Sequence, residues 1–186
     1  MLIPIYLSHA TPHKKEQEYL KESLTKLLEK YDFDVQTIKA SDIRTNDSIG
    51  AIKKRMKTCY GLIALAYGRR SIISSINKYN ADLSGSQSKK ESERLETTPY
   101  IQIESSIASA YELPILMLKE NNLIEEGVLE PFCLGISGPN FTFDNEKSGG
   151  SKEAIDKYLQ SKDLMMALKE FKKDVSENYN LKHRFL

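Results

Sequence analysis

Glu104 stands in the first turns of a segment otherwise built of Ile, Ser and Ala, running Pro99-Tyr100-Ile101-Gln102-Ile103-Glu104-Ser105-Ser106-Ile107-Ala108. A carboxylate there is stabilised by the helix dipole and partly dehydrated by its apolar neighbours, which suits it to chemistry on a developing positive charge. The plainer alternative is a charge that merely favours the helix N-terminus. Tyr100 and Gln102, in the same turns, add hydrogen-bonding or stacking groups, or else are ordinary surface. The Arg69-Arg70 pair follows an apolar run and suits a ligand phosphate, with Arg44 as a helper, or else caps a strand end. His9 and His13 lie beside the same predicted edge, placed for a ribose or a phosphate, or else are lone loop histidines without a role.

The elements that must position these groups are legible as periodicities. Ile3 to Ser8 reads as a strand buried on both faces, ended by the turn-like His9-Ala10-Thr11-Pro12. From Lys15 to Tyr31, Tyr19 or Leu20, Leu24, Leu27, Leu28 and Tyr31 recur at helical spacing. Phe33, Val35 and Ile38 suggest a second, shorter strand, and Asn46-Asp47-Ser48 supplies capping oxygens for a helix with Ile49, Ile52 and Met56 inward. Gly61 to Tyr67 is the clearest buried strand. The polar stretch from Asn80 to Thr98 is too long for an ordinary connection and predicts an insertion, lid or mobile loop.

Pro99 fits the first turn of a helix with Ile103, Ile107, Ala108 and Tyr111 on its apolar face. Pro114 to Leu118 then gives another buried strand, Phe141-Thr142-Phe143 a weak fifth one, and residues from Lys152 to about Tyr179 a C-terminal amphipathic helix. Alternation of this kind predicts an α/β fold, a flavodoxin-like doubly wound parallel sheet of five strands in a single domain. In such sheets ligands bind beyond the carboxyl ends of the strands. That rule selects Ser8 and His9 after the first strand, Asp42 and Arg44 after the second, Tyr67, Arg69 and Arg70 after the third, Tyr100 to Glu104 opening the later helix, and Glu120 after the fourth.

Charge and composition exclude several classes. With 27 Lys+Arg against 26 Asp+Glu in 186 residues, no field is strong enough to recruit nucleic acid or an acidic membrane. Cys59 and Cys133 have no Cys-x-x-Cys spacing and no His cluster nearby, so two buried thiols are expected rather than a zinc site or a disulfide. The opening residues lack a basic leader and a long apolar run, which points to the cytoplasm. There is no Walker-type loop, Gly-x-Gly-x-x-Gly, Gly-x-Ser-x-Gly or His-Glu-x-x-His, which removes the main evidence for P-loop, dinucleotide-dehydrogenase, serine-hydrolase and zinc-protease readings.

Thr98-Pro99-Tyr100-Ile101-Gln102-Ile103-Glu104, followed by Ala108, Ala110 and Pro114-Ile115-Leu116, resembles a helix-then-strand unit of two related superfamilies. One is the Toll/interleukin-1 receptor (TIR) domain group and the other the nucleoside 2-deoxyribosyltransferase-like group. Ile5-Tyr6-Leu7-Ser8-His9 also looks like the first TIR strand, and the segment from Asp42 to Asp47 falls where the loop after the second TIR strand would lie. The wider pattern is similar to bacterial TIR-like proteins. The resemblance implies that Glu104 serves the cleavage of an N-glycosidic bond in NAD or a related nucleotide, in a bacterial defence setting. On the glycosidic reading Tyr67 or Tyr100 would stack on the base and Arg69 or Arg70 would hold phosphate. NAD or a nucleotide would be substrate, with no separate cofactor and no metal. A homo-oligomer and a defence-system partner protein follow from the same likeness. Deoxyribosyl transfer or nucleotide hydrolysis, and a non-catalytic nucleotide-sensing or protein-interaction module, are the alternatives it leaves open.

Overall fold

The computed structural model describes residues 2–38, 47–131, 133–143 and 150–183. Its centre is a five-stranded, all-parallel sheet in the flavodoxin-like order β2-β1-β3-β8-β9. The strands are β1 (Ile3–His9), β2 (Phe33–Gln36), β3 (Leu62–Ala66), β8 (Ile115–Lys119) and β9 (Ile136–Ser137). Helix α1 (Lys15–Glu29) links β1 to β2, and α2 (Ser48–Met56) lies between β2 and β3. Helix α3 (Pro99–Ala110) precedes β8, and α4 (Gly150–Leu159) and α5 (Lys162–His183) close the chain.

The apolar runs that predicted buried strands are divided residue by residue between the two faces, as the two-residue period of a strand requires. Ile5, Leu7, Ile63, Leu65, Leu116 and Leu118 join the core formed by Leu20, Leu24 and Leu28 of α1 and by Leu168, Phe171 and Val175 of α5. Tyr6, Leu62, Ala64, Ala66, Ile115 and Met117 join the other core, with Ile52 and Met56 of α2 and Ile101 and Ala108 of α3. Each of these side chains removes apolar area from water on one face only, so a one-residue slip would exchange the two cores.

The structure differs from the sequence reading in several places. The fifth strand is Ile136–Ser137, whereas Phe141 makes only an isolated bridge to Glu120. Phe141 and Phe143 are instead buried in the core, with the Phe141 ring 5.5 Å from that of Tyr158. The position of β9 requires Gly135, whose φ is +58° and where a Cβ would lie 2.2 Å from the Ile115 carbonyl oxygen. On α3 the buried residues are Ile101, Glu104, Ser105 and Ala108, while Ile103 is 37% exposed. The C-terminal helix is broken at Gln160 and Ser161, where the Ser161 hydroxyl accepts from the Leu164 N–H at 3.3 Å and starts α5.

The polar insertion is an antiparallel ribbon rather than an irregular loop, and it begins ten residues earlier than the composition suggests, at Arg70 instead of Asn80. Strand β4 (Arg70–Ile72) pairs with β7 (Arg94–Glu96), and β5 (Ser75–Asn77) with β6 (Lys89–Glu91). Its short strands carry charges and Ser at most positions, so the apolar alternation that betrays a strand is missing. The Asp82-to-Ser86 tract is its turn end, where the Ser86 N–H donates to the Leu83 carbonyl at 2.9 Å.

Candidate functional site

Sheet order reverses between β1 and β3, because the chain leaves β1 toward β2 on one side and continues from β3 toward β8 on the other. Crossover helices diverge at such a point and leave a crevice beyond the carboxyl ends of the strands. A cleft of about 640 Å³ occupies this place, lined by residues following β1 and β2, by the start of α2, by Arg69 and by the first turns of α3.

Helix α3 enters the cleft in a defined direction. Thr98 is its N-cap and accepts from the Tyr100 N–H at 3.4 Å, and Pro99 takes the position where a missing N–H costs nothing. The helix then turns Glu104 toward β1. Tyr6 and Ser8, two residues apart on that strand, present their hydroxyls on the same face. The Tyr6 hydroxyl donates to Glu104 Oε1 at 2.9 Å, and the Ser8 hydroxyl donates to Oε2.

Glu104 is 7% exposed and still borders the cleft. Burial pushes its carboxyl above the ordinary value of 4.5, and the hydrogen bonds from Ser8 and Tyr6 pull it partly back. Burial, then the adjacent carboxylate, pushes the Tyr6 phenol strongly upward, so Tyr6 remains a donor. The arrangement is a carboxylate held dry, oriented through both oxygens and still open to a ligand. It can favour positive charge developing close by.

Several other residues expected at the strand ends meet at this cleft. His9, Arg69 and Tyr100 line it, as do Thr11, His13 and Ser48. Arg69 makes no ion pair among the described residues, and its backbone is held by an N–H bond to the Glu96 carbonyl at 2.8 Å. Tyr100 is 44% exposed, and its hydroxyl lies 3.3 Å from that of Ser48.

The remaining expected residues lie elsewhere. Tyr67 is fully buried in the core and its hydroxyl donates to the Ala10 carbonyl, so its ring has no face available to a base. Arg70 belongs to the ribbon, where its guanidinium meets Glu96 at 3.3 Å. Gln102 points away along α3, donating from Nε2 to the Glu126 carbonyl and accepting from the Val128 N–H. Glu120 is buried, with its carboxylate accepting from the Gly68 N–H at 2.7 Å. Asp42 and Arg44 lie outside the described residues.

Tyr6 was missed by reading the strand as uniformly apolar. The available signal was its two-residue spacing from Ser8, which puts two hydroxyls on one face of a buried strand. Gln17 was missed too. Fully buried, it accepts the His13 and Lys14 N–H groups and donates to the Gly68 carbonyl at 3.1 Å, so Gly68 is clamped between Gln17 and Glu120 immediately before Arg69.

The chain matches no protein-family model and no curated protein. Among the described residues there is no group of three or more His, Cys, Asp or Glu placed to hold a metal ion. Nor is any helix among them long and apolar enough to cross a membrane. Of the two thiols, Cys59 is buried as expected, whereas Cys133 is exposed, because it sits in the irregular segment before β9 and not in an element.

Proposed function

We propose that this protein cleaves the N-glycosidic bond of NAD or a related nucleotide, as a TIR-like enzyme of bacterial defence. The observation that carries this reading is the Glu104 carboxylate, dry, doubly hydrogen-bonded to Tyr6 and Ser8, and bordering the cleft at the switch point of the sheet. The likeness of Thr98 to Glu104 and of Ile5 to His9 to TIR-like proteins supports the choice of substrate.

In the reaction the bond from the sugar C1′ to the base nitrogen breaks and its electron pair leaves with the base. Positive charge then spreads over C1′ and the ring oxygen. Ionised Glu104 stabilises that charge and holds the ribose hydroxyls, and its interaction grows toward the transition state. Water or a second hydroxyl adds its oxygen to C1′ and gives up a proton, so hydrolysis, cyclisation and transfer share the same first step. Tyr100 at the mouth of the cleft supplies a face for the base, and Arg69 supplies positive charge for phosphate. A homo-oligomer and a defence-system partner protein belong to the same proposal.

Incubating the purified protein at several concentrations with NAD, NADP and deoxynucleosides, followed by chromatography, tests it directly. Release of the free base by the wild type, and its loss in Glu104→Gln with the fold retained, is the expected result. Undiminished turnover by the variant would remove Glu104 from the chemistry.

A further inference from the structure

The carbonyl oxygen of Ala10 receives two hydrogen bonds at the floor of the cleft. One comes from the Tyr67 hydroxyl and the other from His9 Nδ1 at 2.7 Å. A carbonyl only accepts, so the proton of the His9 ring resides on Nδ1. The fully buried Tyr67 ring fixes the carbonyl in turn, which removes the freedom of the imidazole to exchange tautomers by turning its partner.

In this tautomer Nε2 carries a lone pair. Nε2 has no hydrogen-bond partner among the described residues and is not among their buried unpartnered polar atoms, while His9 lines the cleft. The imidazole therefore leaves an acceptor unpartnered among the described residues on a side chain that lines the same cleft as Glu104. Burial, opposed in part by the Ala10 bond and reinforced by Lys21 of α1, holds the ring below its ordinary value of 6.5 and keeps it neutral near pH 7. The other titratable or charged groups lining this space are His13 from the loop after β1, Arg69 following β3, Tyr100 of α3, and Tyr6 and Glu104.

We propose that His9 is the proton acceptor of the cleft, its Nε2 taking the proton of the water or hydroxyl that adds to the sugar carbon. The inference rests on the glycosidic reading of the site. As the C1′–N bond breaks and the base leaves with the electron pair, the incoming oxygen bonds to C1′ and its proton passes to Nε2. The imidazolium so formed returns the proton to solvent, and no further reactant is needed.

Two measurements separate this inference from the reading beneath it. Nitrogen-15 NMR of histidine-labelled protein is expected to show His9 with its proton on Nδ1 and a titration midpoint below 6.5. Addition of ADP-ribose is expected to shift the Nε2 resonance. In turnover assays, His9→Asn keeps a group near the Nδ1 position but none at Nε2, and should lower kcat about a hundredfold to ten-thousandfold with little change in KM, the usual range for a general base. It should also remove the acid limb of the pH profile that His9 contributes, and His9→Gln, whose amide can hydrogen-bond but cannot take a proton, should leave the rate low; recovery of the rate in His9→Gln would overturn the proton-acceptor role. A proton found on Nε2, an Nε2 resonance unmoved by ADP-ribose, or an unchanged kcat in His9→Asn each overturns the role of His9. Failure of every nucleotide to react overturns the glycosidic reading and the role of His9 with it, whereas turnover that survives His9→Asn overturns the role of His9 alone.

Discussion

Tyr6 and Glu104, separated by 98 positions in the chain, are joined by a 2.9 Å hydrogen bond across the boundary between β1 and α3. This bond ties the first strand to the helix that carries the carboxylate, and it is half of what keeps that carboxylate ionisable in a dry place. A hydrogen bond to a charged group contributes about 1.5–3 kcal/mol, enough to offset part of the dehydration.

Tyr6→Phe removes the donor and leaves the ring volume in place. The pKa of Glu104 should move further above the ordinary value of 4.5, since Tyr6 is one of the two groups lowering it. The acid limb of kcat/KM against pH should shift upward, with a loss of roughly tenfold to a hundredfold at pH 7 for a bond of this strength. An unmoved acid limb would separate Tyr6 from the ionisation of Glu104.

Stability should depend on pH through Glu104 with a definite sign. Its native pKa lies above the unfolded value, so the folded state binds the proton more tightly. The contribution is therefore fully present below about 4.5 and is lost as pH rises through the raised native value. Glu104→Gln has no such titration. Chemical denaturation across this window should find the variant gaining on the wild type as pH increases. Parallel curves would show that burial of the carboxylate carries no such penalty.

Gln17→Ala should destabilise the fold and disturb the cleft together. The substitution leaves the His13 and Lys14 N–H groups and the Gly68 carbonyl without their present partner, at a cost of about 1–3 kcal/mol for buried groups. Thermal unfolding measures the first effect. A rise in KM larger than the fall in kcat measures the second, because Gly68 sets the position of Arg69. A variant as stable as the wild type would show that water replaces the amide without loss.

The two thiols should differ in reactivity. Burial pushes the Cys59 thiol up to about 11 and closes it from solvent, whereas Cys133 is exposed. A thiol-specific reagent should titrate one cysteine in the native protein and two after denaturation. Cys133→Ser should leave the native protein unreactive. Fast reaction of that variant would place Cys59 within reach of solvent.

The order of elements and the parallel sheet were legible because hydrophobic periodicity is local. Ile3 to Ser8, Gly61 to Tyr67 and Pro114 to Leu118 bury both faces and read so in any context, and Leu20, Leu24 and Leu28 mark a helix face without reference to the rest of the chain. Position at a strand end also selected Ser8, His9, Arg69, Tyr100 and Glu104, all of which border the cleft or bond to a residue that does. The ribbon from Arg70 to Glu96 escaped notice because its short, polar strands carry no such period.

Which polar groups remain open to a ligand was decided only in three dimensions. Tyr67, Gln102 and Glu120 have the chemistry of site residues, but each meets a backbone group from another segment: the carbonyl of Ala10, the carbonyl of Glu126 and the N–H of Gly68. Tyr6 looked like one more apolar residue of a buried strand until α3 brought a carboxylate to its hydroxyl. Residue type determined what each side chain can donate or accept. The packing of distant segments determined what it meets, because a buried polar group must find its partner wherever the fold places one.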